Sequence, residues 1–431
     1  TSGSQAFNDA VLLGADTSFS ATTGNIGFGA TIDGAHAMTV TTPAGVSFGG
    51  VIGGATPLTT VNVNAGGNVT MQVNVTGAVN VDTAAANADI SLTSATGDLL
   101  IGLLAAGNGT VTLASAAAIK DTNGAAMNVT AGALALSAVT GIGLEPDPIE
   151  VTVPLLAATT QTGGIYINNT GSVVIGTVGG VTGVSVTSAS AQGHIVLHTT
   201  QDMTVNKPVS NSGSGDIRLT SGHDITLNDM LNASGGQISV TADHTVYQNS
   251  SINNTAGGGV AVTAVNGNIV MASDAQTTVG QGAVDYSAQQ DLTVSGITTG
   301  TGGSATITAN NGSILDGNGG APNVSSTQLT VTAPSGAAAE GNNSEFLFAF
   351  GSSAALPDLI IFNNRVLGGD DINQFYQALT MGNGQIALGD FFLYNTLFDD
   401  IWKWSGNSQM LLPMGAPNPA LPYMAMAGFT M

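Results

Sequence analysis

From about residue 20 to residue 335 the chain keeps returning to one phrase: a glycine, a small polar residue, then alternating apolar and polar positions. Gly24-Asn25-Ile26-Gly27-Phe28, Gly67-Asn68-Val69-Thr70-Met71, Gly97-Asp98-Leu99-Leu100-Ile101, Gly215-Asp216-Ile217-Arg218-Leu219, Gly236-Gln237-Ile238-Ser239-Val240 and Gly267-Asn268-Ile269-Val270-Met271 are instances. Alternation with a period of two after a turn residue specifies a short strand with one buried face. The phrases also recur with a longer period: Val69 to Ile90 and Ile90 to Val111 are 21 residues apart, Ile195 to Ile217 and Ile238 to Val260 are 22, and Ile269 to Leu292 is 23.

A period of 20 to 23 residues holding two or three short strands is one coil of a solenoid. A single coil cannot bury its own strands. A second coil stacked about 4.8 Å above pairs every strand and aligns like residues in columns, so inward Val, Ile and Leu form a continuous narrow core. The expected fold is therefore all-β, a right-handed parallel β-solenoid (β-helix) with Gly and Asn at corners that need positive φ and outward Thr on the pleated surface. At that period residues 1–335 give about 15 coils and a length of about 70 Å. Tandem β-sandwich modules are the competing architecture, but they bring a dominant aromatic or Cys marker per module, and residues 1–335 contain no Trp and no Cys.

Composition agrees. Charged residues are 7% of the 431-residue chain, against about 25% in an average globular protein, so surface polarity comes from Thr, Ser, Asn and backbone. The steady supply of Val and Ile argues against disorder. Five cations (Lys120, Lys207, Arg218, Arg365, Lys403) face 27 acids, a formal charge of −22. Nucleic acid is excluded as a partner because phosphate binding needs clustered cations, and no uninterrupted apolar run is long enough to span a bilayer. Without Cys there are no thiol nucleophiles, thiolate metal sites or disulfides.

Four stretches carry a family resemblance: Ser4-Gln5-Ala6-Phe7-Asn8-Asp9-Ala10-Val11-Leu12-Leu13-Gly14-Ala15-Asp16-Thr17; Gly27-Phe28-Gly29-Ala30-Thr31-Ile32-Asp33-Gly34-Ala35; Phe48-Gly49-Gly50-Val51-Ile52-Gly53-Gly54; and Gly141-Ile142-Gly143 with Pro146 and Pro148, followed by Gly163-Gly164-Ile165-Tyr166-Ile167-Asn168-Asn169. Their style resembles the repeats of filamentous-haemagglutinin-like large exoproteins of Gram-negative bacteria. That resemblance covers about the first 335 residues. It implies a secreted parallel β-helix, exported by a two-partner system and displayed at the cell surface as an adhesin or fibre. The family's N-terminal secretion domain is not recognisable, so Thr1 is read as a cleavage point or a truncation within a longer precursor.

Near Glu345 the composition changes. The expected organisation is a repeat region over 1–335, a linker over 336–344 and a capping or assembly segment over 345–431, which holds nine of the 13 Phe and both Trp. Stacked repeats need their terminal edges covered, and aromatic enrichment fits an interface. Phe346, Phe348, Phe350, Phe391, Phe392, Trp402 and Trp404 are the candidate interface residues, acting either as a cap on their own solenoid or as a dock for the next subunit in a head-to-tail homopolymer.

Catalysis finds little support. A lyase needs a cationic base beside clustered carboxylates, and the cations are scattered. Asp370-Asp371 and Asp399-Asp400 are adjacent acidic pairs of the kind exposed loops carry. His194 and His198 lie on one strand, about 13 Å apart by strand rise and too far to share an ion; Asp316-Gly317-Asn318-Gly319 is a lone weak match to calcium-binding turns. The chain is therefore expected to be no enzyme and to use no metal or cofactor. It is expected to be a structural subunit of an extracellular filament, with a monomeric adhesin that binds glycan or a host receptor as the alternative and a carbohydrate-active enzyme third.

Overall fold

The computed structural model describes residues 2–318 and 323–333, together with the backbone of four short strands at 347–349, 360–362, 365–367 and 385–387. The protein is all-β: parallel strands stack as a β-solenoid of about 15 turns, about 22 residues each. Among the described residues there is no α-helix, only a 3-10 turn at Ala84–Ala86, and no helix long and apolar enough to cross a membrane. The chain divides into two compact units, one of residues 1–223 and 231–236, the other of residues 224–230 and 237–431.

In the first unit one sheet climbs through Thr17–Ser20, Ala37–Thr42, Thr60–Ala65, Val79–Asp82 and Leu99–Ala105, and later through Ile165–Asn169, Ile195–Thr199 and Ile217–Ser221. A second sheet runs through Val69–Gln72, Ile90–Ser94, Thr110–Ser115, Ala133–Ala138 and Leu155–Thr160. The expected periods are the observed registers: Val69 pairs with Ile90, Ile90 with Val111, and Ile195 with Ile217. Like residues thus stack in columns, and Ile165, Ile195 and Ile217 are all fully buried. Near the first coil an aromatic column replaces the aliphatic one, with Phe7, Phe28 and Phe48 stacked at 5.1 and 5.4 Å and Phe19 edge-on at 5.0 Å from both Phe7 and Phe28.

The second unit repeats the plan. Ile238–Ala242, Val260–Ala264, Ala283–Ala288, Ser304–Ala309 and Gln328–Thr332 pair in parallel, as do Val246–Gln248, Ile269–Met271, Leu292–Val294 and Ile314–Asp316. Tyr286 stands in the core in place of an aliphatic side chain. Its hydroxyl is satisfied by Gln248 Oε1 and Thr277 Oγ1, each at 2.6 Å, as a buried phenol requires. Beyond Ala333 the described strands leave the pattern: Leu347–Ala349 pairs in parallel with Val324–Ser325 but antiparallel with Gln385–Ala387, and Ile360–Phe362 pairs antiparallel with Arg365–Leu367.

The small polar residue of each phrase has a specific job. Its side-chain oxygen accepts a backbone N–H from the next coil: Asn68 Oδ1 from Asp89, Asp89 Oδ1 from Thr110, Asp98 Oδ1 from Ala118, Asn268 Oδ1 from Asp291 and Asp291 Oδ1 from Ser313, at 2.7–3.0 Å. Much of the acidity is therefore spent inside corners, satisfying donors that a turn leaves open. At the other end of many strands an inward Ser, Thr or Asn donates to a glycine carbonyl, as Thr42 does to Gly24, Ser115 to Gly97 and Asn211 to Gly193 and Gly215.

Two local departures interrupt the first unit. The pairing of Val79–Asp82 with Leu99–Ala105 skips a residue, a bulge at Gly102-Leu103 that turns Leu103 outward, 45% exposed. A two-strand antiparallel hairpin, Thr177–Val178 with Val181–Thr182, lies over the outward face of the second sheet and packs on Ala135 and Ala157. Outward Thr was expected there. Alanine is present because the hairpin leaves no room for a larger side chain.

Candidate functional site

Phe346, Phe350, Phe391, Phe392, Trp402 and Trp404 lie outside the described residues, as do Asp370-Asp371 and Asp399-Asp400. Phe348 belongs to the strand Leu347–Ala349, whose backbone pairs with Val324 and Ser325. The site geometry therefore comes from the flanks of the first unit.

On the outward face of its first sheet the strand register places Tyr166, Val196 and Arg218 in one column. Arg218 donates from Nη1 to Glu145 Oε1 at 3.0 Å and from Nη2 to Asp216 Oδ2 at 2.8 Å, so the guanidinium bridges a loop residue 73 positions away in sequence. The Asp216 bond, and the nearby charges of Asp216 and Glu145, hold Arg218 still more firmly protonated than usual, against the opposing effect of burial. His194 Nδ1 lies 3.4 Å from Asp216 Oδ2 and also accepts the Asp216 backbone N–H at 2.9 Å. An amide can only donate, so Nδ1 is the acceptor in that bond.

Tyr166 completes the cluster. A Cβ at Gly164 would come within 2.5 Å of Tyr166 Cε2, so the phenol ring rests on a bare glycine backbone. Burial and the Glu145 charge push its pKa up, while the His194 backbone and Arg218 pull the other way. The group combines an aromatic ring, a guanidinium, an imidazole and two carboxylates, with Arg218 set between Glu145 and Asp216. It can donate and accept hydrogen bonds beside a ring; its cation is already bridged by two carboxylates and offers no unshielded charge to an anion.

Nearer the N-terminus the same sheet carries a shallow groove of about 270 Å³. Its floor is two outward columns, Thr39 with Asn62 and Asn80, and Thr41 with Asn64 and Asp82, and Leu103 on the bulge forms one wall. Asn80 fixes the floor: its Nδ2 donates to Asn62 Oδ1 at 2.9 Å and its Oδ1 accepts Leu103 N–H at 2.8 Å. A Cβ at position 102 would meet that Oδ1 at 2.1 Å, so a larger residue there would displace the Asn80 side chain from its two bonds.

Other charged and polar side chains are held in contacts within or between coils. His223 lies 2.5 Å from Asp202 in the first unit, and His244 lies 3.0 Å from Asp224 in the second. Lys120 pairs with Asp98 at 2.5 Å. Asp316 Oδ1 accepts from Asn318 N–H and from Asn323 Nδ2, both at 2.9 Å, and Asp121 receives the same two bonds from Asn123 and Asn128, so the weak calcium-like turn is one of two matching side-chain clasps.

No family model, curated protein or solved structure matches the chain.

Sequence reasoning missed the Arg218 cluster and the groove for the same reason. Each is assembled by register from outward positions 18 to 30 residues apart, and in sequence those positions read as ordinary surface. The rarity of cations was a usable signal, since Arg218 is one of five; the others gave none.

Proposed function

We propose that the chain is a secreted structural subunit of an extracellular bacterial filament or surface fibre, and that its coils serve as a scaffold that holds flank positions in register. The observation that carries this reading is the coil-to-coil tie: side-chain oxygens of one coil accept the backbone of the next over most of the described residues. Such ties, with buried columns of Ile, Val and Leu, make a stiff scaffold of many identical contacts. The resemblance of the repeats to filamentous-haemagglutinin-like exoproteins supports secretion and surface display.

Head-to-tail self-association is the assembly this reading favours. It is supported by the aromatic composition of residues 345–431. Electron microscopy of the purified chain tests it. Uniform fibres that vanish on deletion of 345–431, with the β circular dichroism intact, are the expected result; monodisperse particles at high concentration overturn the assembly. The adhesin reading is favoured by a separate observation, the groove on a flank of the first unit, with its Asn and Thr floor and its Leu103 wall.

A further inference from the structure

The geometry points to a binding site for a short stretch of neutral oligosaccharide in the groove lined by Thr39, Thr41, Asn62, Asn64, Asp82 and Leu103. This deepens the adhesin reading by giving it a place and a ligand class. Among the described residues no hydrogen bond engages the side chains of Thr39, Thr41 or Asn64, and the Asn62 amide is engaged only through its oxygen, by Asn80. The floor thus offers hydroxyls, amide donors and amide acceptors in rows about 4.8 Å apart, the spacing of neighbouring strands and close to the length of one sugar ring. Hydroxyl-rich ligands satisfy such alternating donors and acceptors, whereas an apolar ligand leaves them unmet.

Leu103 supplies the complementary element. A bulge places this leucine, 45% exposed, at the rim of an otherwise polar groove, and bulges re-aim side chains next to functional sites. A pyranose has an apolar C–H face and a polar hydroxyl rim, which match the leucine wall and the Asn/Thr floor. Charge selects within the sugars. Asp82 is the one ionisable residue lining the groove, the chain carries −22 overall, and no cation lines the groove to hold a uronate or sulfate. Asp82 Oδ1 is engaged by Ala84 N–H at 3.0 Å, which leaves Oδ2 to accept sugar hydroxyls.

The test uses the full chain, calorimetric titration with cellohexaose, maltohexaose, galactohexaose and oligogalacturonate, and three variants at outward positions: Asn64→Ala, Leu103→Ala and, as a control on the other flank cluster, Arg218→Ala. Binding of at least one neutral hexasaccharide, at least tenfold weaker in Asn64→Ala and Leu103→Ala and unchanged in Arg218→Ala, is the expected result, with no binding of oligogalacturonate. Melting midpoints within a few degrees of the parent show that the variants fold. Neutral-sugar binding that Arg218→Ala abolishes and the groove variants leave intact overturns the groove while leaving the adhesin reading standing. Binding of oligogalacturonate in preference to the neutral sugars overturns the ligand class. No binding of any of the four overturns the site, and adherence of the chain to cells, scored separately, then decides the adhesin reading by itself.

Discussion

At the scale of the residue, the glycines and the carboxylates make the sharpest statements. A Cβ at Gly163 would lie 1.6 Å from the Thr140 carbonyl, whereas at Gly14 it meets nothing within 4 Å. Gly163→Ala must move backbone in two coils, and a loss of about 3 kcal/mol or more is expected from overpacking and strain; Gly14→Ala stays within about 0.5 kcal/mol. Parallel thermal melts check both. Asp121, Asp147 and Glu150 give a pH prediction. Burial, followed by the Asp121 charge, raises the pKa of Glu150 and of Asp147. A carboxyl whose folded pKa is raised binds more protons folded than unfolded between its ordinary value and the raised one, so stability falls as pH rises through that window and stays lower above it. Asp121→Asn removes the repelling charge, and its Oδ1 still accepts the Asn123 and Asn128 donors that Asp121 now accepts. The variant is expected to melt above the parent at pH 7, with the gap closing below the ordinary carboxylate range of about 4. A gap that persists at pH 3 would show that charge is not its cause.

At the scale of the element, what could be read from sequence was whatever repeats. Gly-Asn-Val and Gly-Asp-Ile announce strands because each phrase carries its own turn, its own tie and its own alternation, and the observed registers of Val69 with Ile90 and Ile269 with Leu292 follow directly. The hairpin at Thr177–Thr182 and the bulge at Leu103 stayed illegible because they are exceptions to the repeat. Gly179-Gly180, at φ of 55° and 85°, marks a turn, but what the turn covers depends on Ala135 and Ala157, more than 20 residues earlier. The hairpin should behave as an appendage. Val178 is 6% exposed against those two alanines, and Val178→Asp sets a carboxylate on an apolar face, at a local cost of a few kcal/mol, on the order of burying an unpaired polar group. Limited proteolysis is expected to cut the variant at Gly179-Gly180 several times faster than the parent, with unchanged circular dichroism; cutting spread over the coils would show that the hairpin is integral to the stack.

At the scale of the whole molecule, the coil is the unit that folds and stacks, and this has a consequence that an ordinary globular core does not share. In the second unit Ile238 pairs with Val260 and Val260 with Val284, while Val246, Ile269 and Leu292 follow one another in the other sheet. Removing residues 260–283 joins Gly259 to Val284 and brings Val284 onto Ile238, Leu292 onto Val246 and Ile297 onto Ile252. Every inward aliphatic column is then preserved, and the deletion costs one coil and two interfaces while restoring one. Removing only residues 260–271 joins Gly259 to Ala272, which sets Ala272 over Ile238 and turns Asp274 inward over Val240, an unpaired charge in the core. The longer deletion is therefore the milder one. The 24-residue deletion is expected to stay soluble, keep its β circular dichroism per residue and melt within about 10 °C of the parent, since stability in stacked repeats is a sum of nearest-neighbour terms. The 12-residue deletion should aggregate. Equal behaviour of the two would mean that stability resides in contacts other than the coil register, and the reading of this chain as a repeating scaffold would fall with it.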